Sequence, residues 1–382
     1  MTQMLKPKLF YFLYFWGLSA LFPYFALYYE SLGLTGPQVG ILMALTPLVT
    51  LVGAPLWSGL ADATRRHKAI LLIATVGTMA GAWGLLQADT FSTLLPLVVL
   101  YALFMAPILP LMDSTVLALL GDRREAFGRQ RTLGSLGPAL AGPLITALTG
   151  RFGLRVPFYG FIAAFAGLTV LIASMPIRGG ETGAPFWQGL GQLIRTPRLA
   201  RFLFIVFLGM MGYATKLTFL YVRLDELGAP ESLLGFALLM GTVGELPILL
   251  ASGRLMRKWG AQGLLTASLA AMVIMLLTYS WVRVPGLMLA GELLHGLAYS
   301  GMTVAGVAYA DAVAPPGMAA TTQGLFNAVF GGIAIASGTF AGSLVRDRWG
   351  SPAMFRAAGL VALAGLGLFV LTRERGSEKR KH

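Results

Sequence analysis

Cysteine is absent from the chain, asparagine occurs once, at Asn327, and histidine three times, at His67, His295 and His382. Without cysteine there are no disulfides, no thiolate metal sites and no cysteine nucleophile. No metal-ligand cluster, Ser–His–Asp arrangement or phosphate-binding glycine loop is evident, so neither an enzyme nor a bound metal or cofactor is expected. Zero cysteine and one asparagine fit a hot habitat and a GC-rich genome equally well. Charge is scarce too: Asp, Glu, Lys and Arg together make up 12% of 382 residues. A soluble domain usually carries about twice that share.

Apolar residues dominate instead, at 56%, and the mean hydropathy is +0.73. Runs of roughly 20 apolar residues, the length that crosses a bilayer, recur along the chain. Backbone groups in lipid must find partners within their own segment, so these runs are expected to be helices of an integral membrane protein. The run from Leu9 to Tyr29 is too long for a signal h-region, and no small-residue cleavage site follows it. The net charge of +13 gathers at 6–8, 65–68, 123–131, 178–201, 254–258 and 373–381, while the alternate loops carry almost none. That alternation is the positive-inside pattern; it puts both termini in the cytoplasm and makes nucleic-acid binding an unnecessary explanation.

Twelve spans are expected: 9–31, 38–61, 69–88, 92–120, 130–150, 156–176, 200–224, 232–255, 262–281, 286–311, 320–345 and 352–372. Between the sixth and seventh lies IRGGETGAPFWQGLGQLIRTPRLA, the longest polar stretch. It divides the chain into a six-helix bundle at 1–176, a linker at 177–199, a second bundle at 200–373 and a tail at 374–382. The halves resemble each other. LYYESLGLTGPQVGIL from Leu27 aligns with LYVRLDELGAPESLLGFAL from Leu220, and GLADATRRHK at 59–68 with GRLMRKWG at 253–260. Parallel repeats offset by about 195 residues place a substrate site near the membrane midplane, between the halves.

Charges inside such spans are costly and face a partner or a water-filled cavity. Asp113 lies about 15 Å of helix from Arg123, and Arg131 about one turn into the next span, so the two can meet across adjacent helices. They form either a structural ion pair or a clamp in which the guanidinium grips substrate oxygens. Glu245 stands mid-span in LLMGTVGELPILLA. Glu292 and His295 are three residues apart, hence on one helix face. A buried carboxylate and a histidine can both exchange protons near neutral pH; the alternative is a polar lock between helices. Lys216 needs a carboxylate, Glu245 or Glu292, unless it snorkels to the surface near Arg223. Asp62 with Arg65, Arg66 and Lys68 is expected to latch the halves on the cytoplasmic side. Phe22, Tyr24, Phe25, Tyr28 and Tyr29 could line the cavity, and Glu30 and Asp311 read as solvated span ends.

GLADATRRHK, with Gly59, Asp62 and its basic run, resembles the loop after the second helix of the major facilitator superfamily, although Ala63 and Arg65 depart from the usual basic residue and glycine. ALFPYFALYYES, DSTVLALL followed by FGRQRTLGSLG, GELP and GELLHG are similar to the branch holding lactose permease and phenylpropionate permease. The resemblance implies substrate binding by Asp113, Arg131 and His295, proton coupling at His295 as well, and gating by the loop residues Gly59, Asp62, Arg65 and Arg66; from their buried charge, Lys216 is expected as a further substrate contact and Glu245 and Glu292 as further proton-coupling groups. The sugar-stacking Trp of lactose permease falls on Pro138, and its proton-step glutamate on Ala298, which argues against a galactoside. The expectation is a monomeric proton symporter for a small polar or anionic organic solute, with protons and membrane lipid as its other partners. It would work by alternating access in the plasma membrane of a prokaryote. The alternatives are a proton-driven exporter and a lipid-translocating or sensory protein.

Overall fold

The computed structural model describes residues 5–120, 132–175, 177, 196–314 and 319–372. Among these residues there are helices and no strands. In chain order they are α1 (Leu5–Ser31), α2 (Gly36–Thr64), α3 (His67–Gln87) and α4, which runs Phe91–Met105 and continues as Ile108–Leu120 past Pro107. Next come α5 (Leu136–Phe152), α6 (Val156–Ala173), α7 (Pro197–Glu226) and α8 (Glu231–Trp281). The last are α9 (285–313) and α10 (319–372), each interrupted by a π-helical turn, Gly296–Ser300 in α9 and Ala328–Ile333 in α10. Among the described residues nine segments are long and apolar enough to cross a membrane, α1 to α8 and α10. The polar side chains of Glu292, His295 and Asp311 fall within α9, which is not one of them.

Local chemistry sets the ends. Thr35 and Gln38 form a capping box at the start of α2, and prolines occupy the first turns of α2, α6, α7 and α9, where the missing N–H is harmless. Two pairs of expected spans, 232–255 with 262–281 and 320–345 with 352–372, each emerge as one long segment. The break falls at Gly260 (φ 63°) in α8 and at Gly350 (φ 81°) in α10, a backbone region that suits glycine. Arg65 closes α2 in the left-handed conformation (φ 54°), at the place where the family pattern would have glycine.

Helices α1 to α6 pack on one another, α1 against α5 and α6, and α3 against α4 and α6. Helix α7 packs along α10, and α8 along α9 and α10. The two sets meet along α5–α8 and α2–α10. Without a hydrophobic driving force in lipid, close backbone approach carries such seams. At α5–α8 a Cβ on Gly235 would lie 2.8 Å from the Gly142 carbonyl oxygen and 2.9 Å from Pro143 Cα. At α2–α10 Gly40 abuts Ser343, and the Gly36 N–H donates to Asp347 Oδ1 at 3.2 Å.

An ion cluster closes the same end. Arg346 on α10 donates to Glu30 at the end of α1 and, at 2.8 Å, to Glu226 at the end of α7. The Ser351 hydroxyl donates to the same Glu226 oxygen at 2.7 Å. Glu30 is therefore not the solvated span end expected but the tie between α1 and α10. The ion pair and hydrogen bond of the Asp62 loop lie within the first set. Asp62 pairs with His67 Nε2 at 2.9 Å, Lys68 donates to the Ala173 carbonyl at 2.6 Å, and Arg65 and Arg66 are exposed. Gly59 faces open space.

A side chain forced between backbones costs about 1–3 kcal/mol. Gly235→Val should lower the melting temperature, read by tryptophan fluorescence, while Gly286→Ala, with nothing near its Cβ position, should leave it unchanged. Equal melting temperatures for both variants would contradict the seam.

Candidate functional site

Between the two sets lies a cavity of about 650 Å³, walled by α1, α2, α4 and α5 on one side and α7 to α10 on the other. Helix α7 supplies Tyr213, Lys216, Leu217, Leu220 and Tyr221, spaced so that one face of the helix is the wall. Helix α8 supplies Gly241, Thr242 and Glu245, and α9 supplies Glu292, His295 and Tyr299.

Every candidate in α7 to α9 converges on one network. Lys216 Nζ lies 2.7 Å from Glu292 Oε2 and 3.1 Å from His295 Nδ1. His295 Nε2 lies 2.8 Å from Glu245 Oε1. The Tyr213 hydroxyl reaches His295 Nδ1 at 2.7 Å, and the Tyr279 hydroxyl donates to Glu292 Oε1 at 2.6 Å. The side chains of Lys216 and Glu292 are 7% and 2% exposed, against 27% for Glu245, so the network runs from a buried pair to a cavity-facing carboxylate. The snorkelling alternative for Lys216 is excluded: its ammonium is buried and paired with Glu292.

The packing that permits this geometry is glycine-based. A Cβ on Gly296 would collide with the Gly244 carbonyl, and one on Gly244 would lie 2.8 Å from the Leu293 carbonyl oxygen. Close approach of α8 and α9 brings Glu245 within hydrogen-bond reach of His295. The π turn that starts at Gly296 sets Tyr299 parallel to His295, with ring centroids 5.7 Å apart and planes 6° apart. Such turns recur at functional sites.

The donors and acceptors fix how the network is wired. An ammonium has only donors, so towards Lys216 the Nδ1 atom of His295 must be an acceptor. Nε2 then carries the hydrogen and donates to Glu245. A second proton on His295 would make Nδ1 a donor pointing at Lys216, breaking that contact. A doubly protonated imidazole and the Lys216 hydrogen bond exclude each other.

In the other wall, Asp113 accepts from the Tyr11 hydroxyl at 2.6 Å. Pro110, one turn earlier, lines the cavity, and Asp113 is not among the lining residues. Arg131 lies outside the described residues. Pro138, where the family's sugar-stacking Trp would stand, does line the cavity. Phe22 lines it as well, whereas Phe25, Tyr28 and Tyr29 pack with Phe158 and Tyr101 in an aromatic core. Tyr213 was absent from the sequence candidates, although its spacing of three from Lys216 puts both on one face. Tyr279 had no local signal at all.

Residues 4–357 match the family model described as "MFS_1 like family". The maltose permease of Geobacillus stearothermophilus is 28% identical over 97% of this chain and 96% of its own. The probable 3-phenylpropionic acid transporter of Escherichia coli (strain K12) is 24% identical over 68% of this chain and 69% of its own. The crystal structure of the nucleoside transporter NupG superposes with a TM-score of 0.87 at 15% identity, over 98% of this chain and 100% of that one, a shared fold.

Removing one partner of a buried ion pair strands the other charge and costs about 3–5 kcal/mol, while replacing both by apolar residues is often neutral. Lys216→Met should therefore melt well below the parent, and Lys216→Met with Glu292→Leu should recover most of the loss. A double variant at least as unstable as the sum of the singles would show that the pair is not the network's anchor.

Proposed function

The chain belongs to the MFS_1-like family of major facilitator transporters, and on that premise we propose a proton-coupled symporter importing a hydroxyl-rich organic solute of about disaccharide size. The observation that carries this reading is the Glu245–His295–Lys216–Glu292 network in the cavity wall. It offers a carboxylate more open to the cavity, Glu245, for a proton, and a histidine whose charge state and lysine contact exclude each other. A cavity of about 650 Å³ lies within the range of small-molecule sites, and its tyrosine faces suit the flat sides of sugar rings. The cationic lining residue Lys216 is already paired, which favours a neutral solute over an anion. The full-length relative named a maltose permease agrees with this choice.

Counting α8 and α10 as two spans each and α9 as one gives twelve, in bundles of six joined by the 177–199 linker. With basic loops inside, the termini are cytoplasmic, in the plasma membrane of a prokaryotic cell. The Glu30 end then faces outward, and the Arg346 cluster with the two seams holds that side shut. In alternating access the Asp62 loop, with Gly59, Arg65 and Arg66, would engage when the opposite side closes, and the chain would act as a monomer. Asp113 and Arg131 would contribute to the solute site from the first bundle. Protonation of Glu245 weakens its hold on His295, frees the imidazole and loosens Lys216, so solute and proton act on one set of bonds. A second reading, proton-driven export of apolar compounds, draws support from the largely apolar wall of the cavity.

The test is uptake into proteoliposomes under an inward proton gradient. Glu245→Gln, neutral at every pH, should reduce uphill maltose accumulation by at least about tenfold while leaving solute counterflow intact. If collapsing the gradient leaves accumulation by the parent protein unchanged, proton coupling is wrong.

A further inference from the structure

The polar groups of the α7–α9 wall satisfy one another almost completely. Lys216 binds Glu292 and His295, Tyr213 binds His295, and Glu245 binds His295. Tyr221 breaks this rule. It lines the cavity and is 4% exposed, and its hydroxyl has no hydrogen-bond partner; among the described residues it is the one lining side chain with a buried polar atom left open. An unpaired buried hydroxyl is destabilising, and buried hydroxyls are rarely left so. Its neighbour Tyr24 meets it edge-on, with ring centroids 5.2 Å apart, but the Tyr24 hydroxyl is 2.6 Å from Thr146 Oγ1.

The internal repeat makes the exception sharper. Aligning LYYES from Leu27 with LYVRL from Leu220 pairs Tyr28 with Tyr221. Tyr28 stands in the first bundle, packed on Phe158 and away from the cavity lining, and its hydroxyl donates to the Leu85 carbonyl at 3.2 Å. The repeat-related position beside the cavity kept the tyrosine without the partner.

We infer that the Tyr221 hydroxyl is a solute-binding group, whose missing hydrogen bond is supplied by a hydroxyl of the transported sugar. The inference rests on the proposed transport of a hydroxyl-rich solute. Tyr221 lies five residues beyond Lys216 on α7, about 7.5 Å along the axis, and both line the cavity. A solute in the cavity can therefore meet the charged network and the Tyr221 hydroxyl from one side of α7. Tyr221 thus selects for a hydroxyl-bearing solute.

The experiment is maltose binding to the detergent-solubilised full chain by calorimetry, with no proton gradient, together with melting temperatures without solute. Tyr221→Phe should bind maltose roughly 3- to 30-fold more weakly than the parent, without a lower melting temperature, since no native hydrogen bond is lost. Tyr24→Phe loses the bond to Thr146 and should melt lower, with maltose affinity changed less than in Tyr221→Phe. Maltose binding by Tyr221→Phe equal to the parent's overturns this inference and leaves the sugar reading standing. A lower melting temperature with unchanged affinity also overturns it, assigning the hydroxyl a structural role. Absence of maltose binding by the parent protein sinks the sugar reading and this inference together.

Discussion

A lysine and a glutamate buried in a membrane-embedded bundle persist only as a pair, and the organisation of α7, α8 and α9 follows from that constraint. Lys216 and Glu292 are almost fully removed from solvent, so each needs the other and further hydrogen bonds to complete its shell. Tyr279 supplies one of those bonds from the far arm of α8, and His295 supplies another. Since the pair joins α7 to α9, the cavity wall is held together by charge as well as by packing. The more exposed end of the chain of contacts is Glu245, which bonds His295 rather than the anchoring pair.

Two kinds of contact divide the labour between the bundles. Glycine seams at α5–α8 and α2–α10 bring backbones together with little side-chain specificity, which suits surfaces that part and re-form. The Arg346 cluster adds a directional closure at one end, with Glu30 from α1 and Glu226 from α7 sharing one guanidinium. Separating the bundles there would have to release these bonds.

Much of the frame could be read from the sequence because lipid leaves few options. Apolar runs must be helices, and the placement of basic loops follows a simple electrostatic bias. The convergence of Lys216, Glu245, Glu292 and His295 was legible for the same reason, since a charge in a span demands a partner. Which carboxylate takes the lysine was not legible, because it depends on the Gly244–Gly296 contact and on the π turn that follows His295. Tyr279 and Tyr221 were invisible for a related reason: a tyrosine in an apolar helix is ordinary until its hydroxyl environment is known. Glu30 was misjudged because its partner Arg346 lies 316 residues away. The Asp113–Arg131 pairing stays an expectation, with Asp113 bonded to Tyr11 and Arg131 outside the described residues.

The central claim is that solute and proton share the Glu245–His295–Lys216–Glu292 network, and linkage makes that claim measurable without any transport. If binding of one alters binding of the other, the dissociation constant for solute must depend on pH. Calorimetric titration of maltose between about pH 5 and pH 9 tests this directly, in the window where carboxylate and imidazole groups exchange protons. The account predicts an interval in which the dissociation constant changes by about tenfold per pH unit, the signature of one linked proton. It also predicts a markedly flatter curve for Glu245→Gln. A measurable dissociation constant that stays the same across the whole range in the parent protein would contradict it.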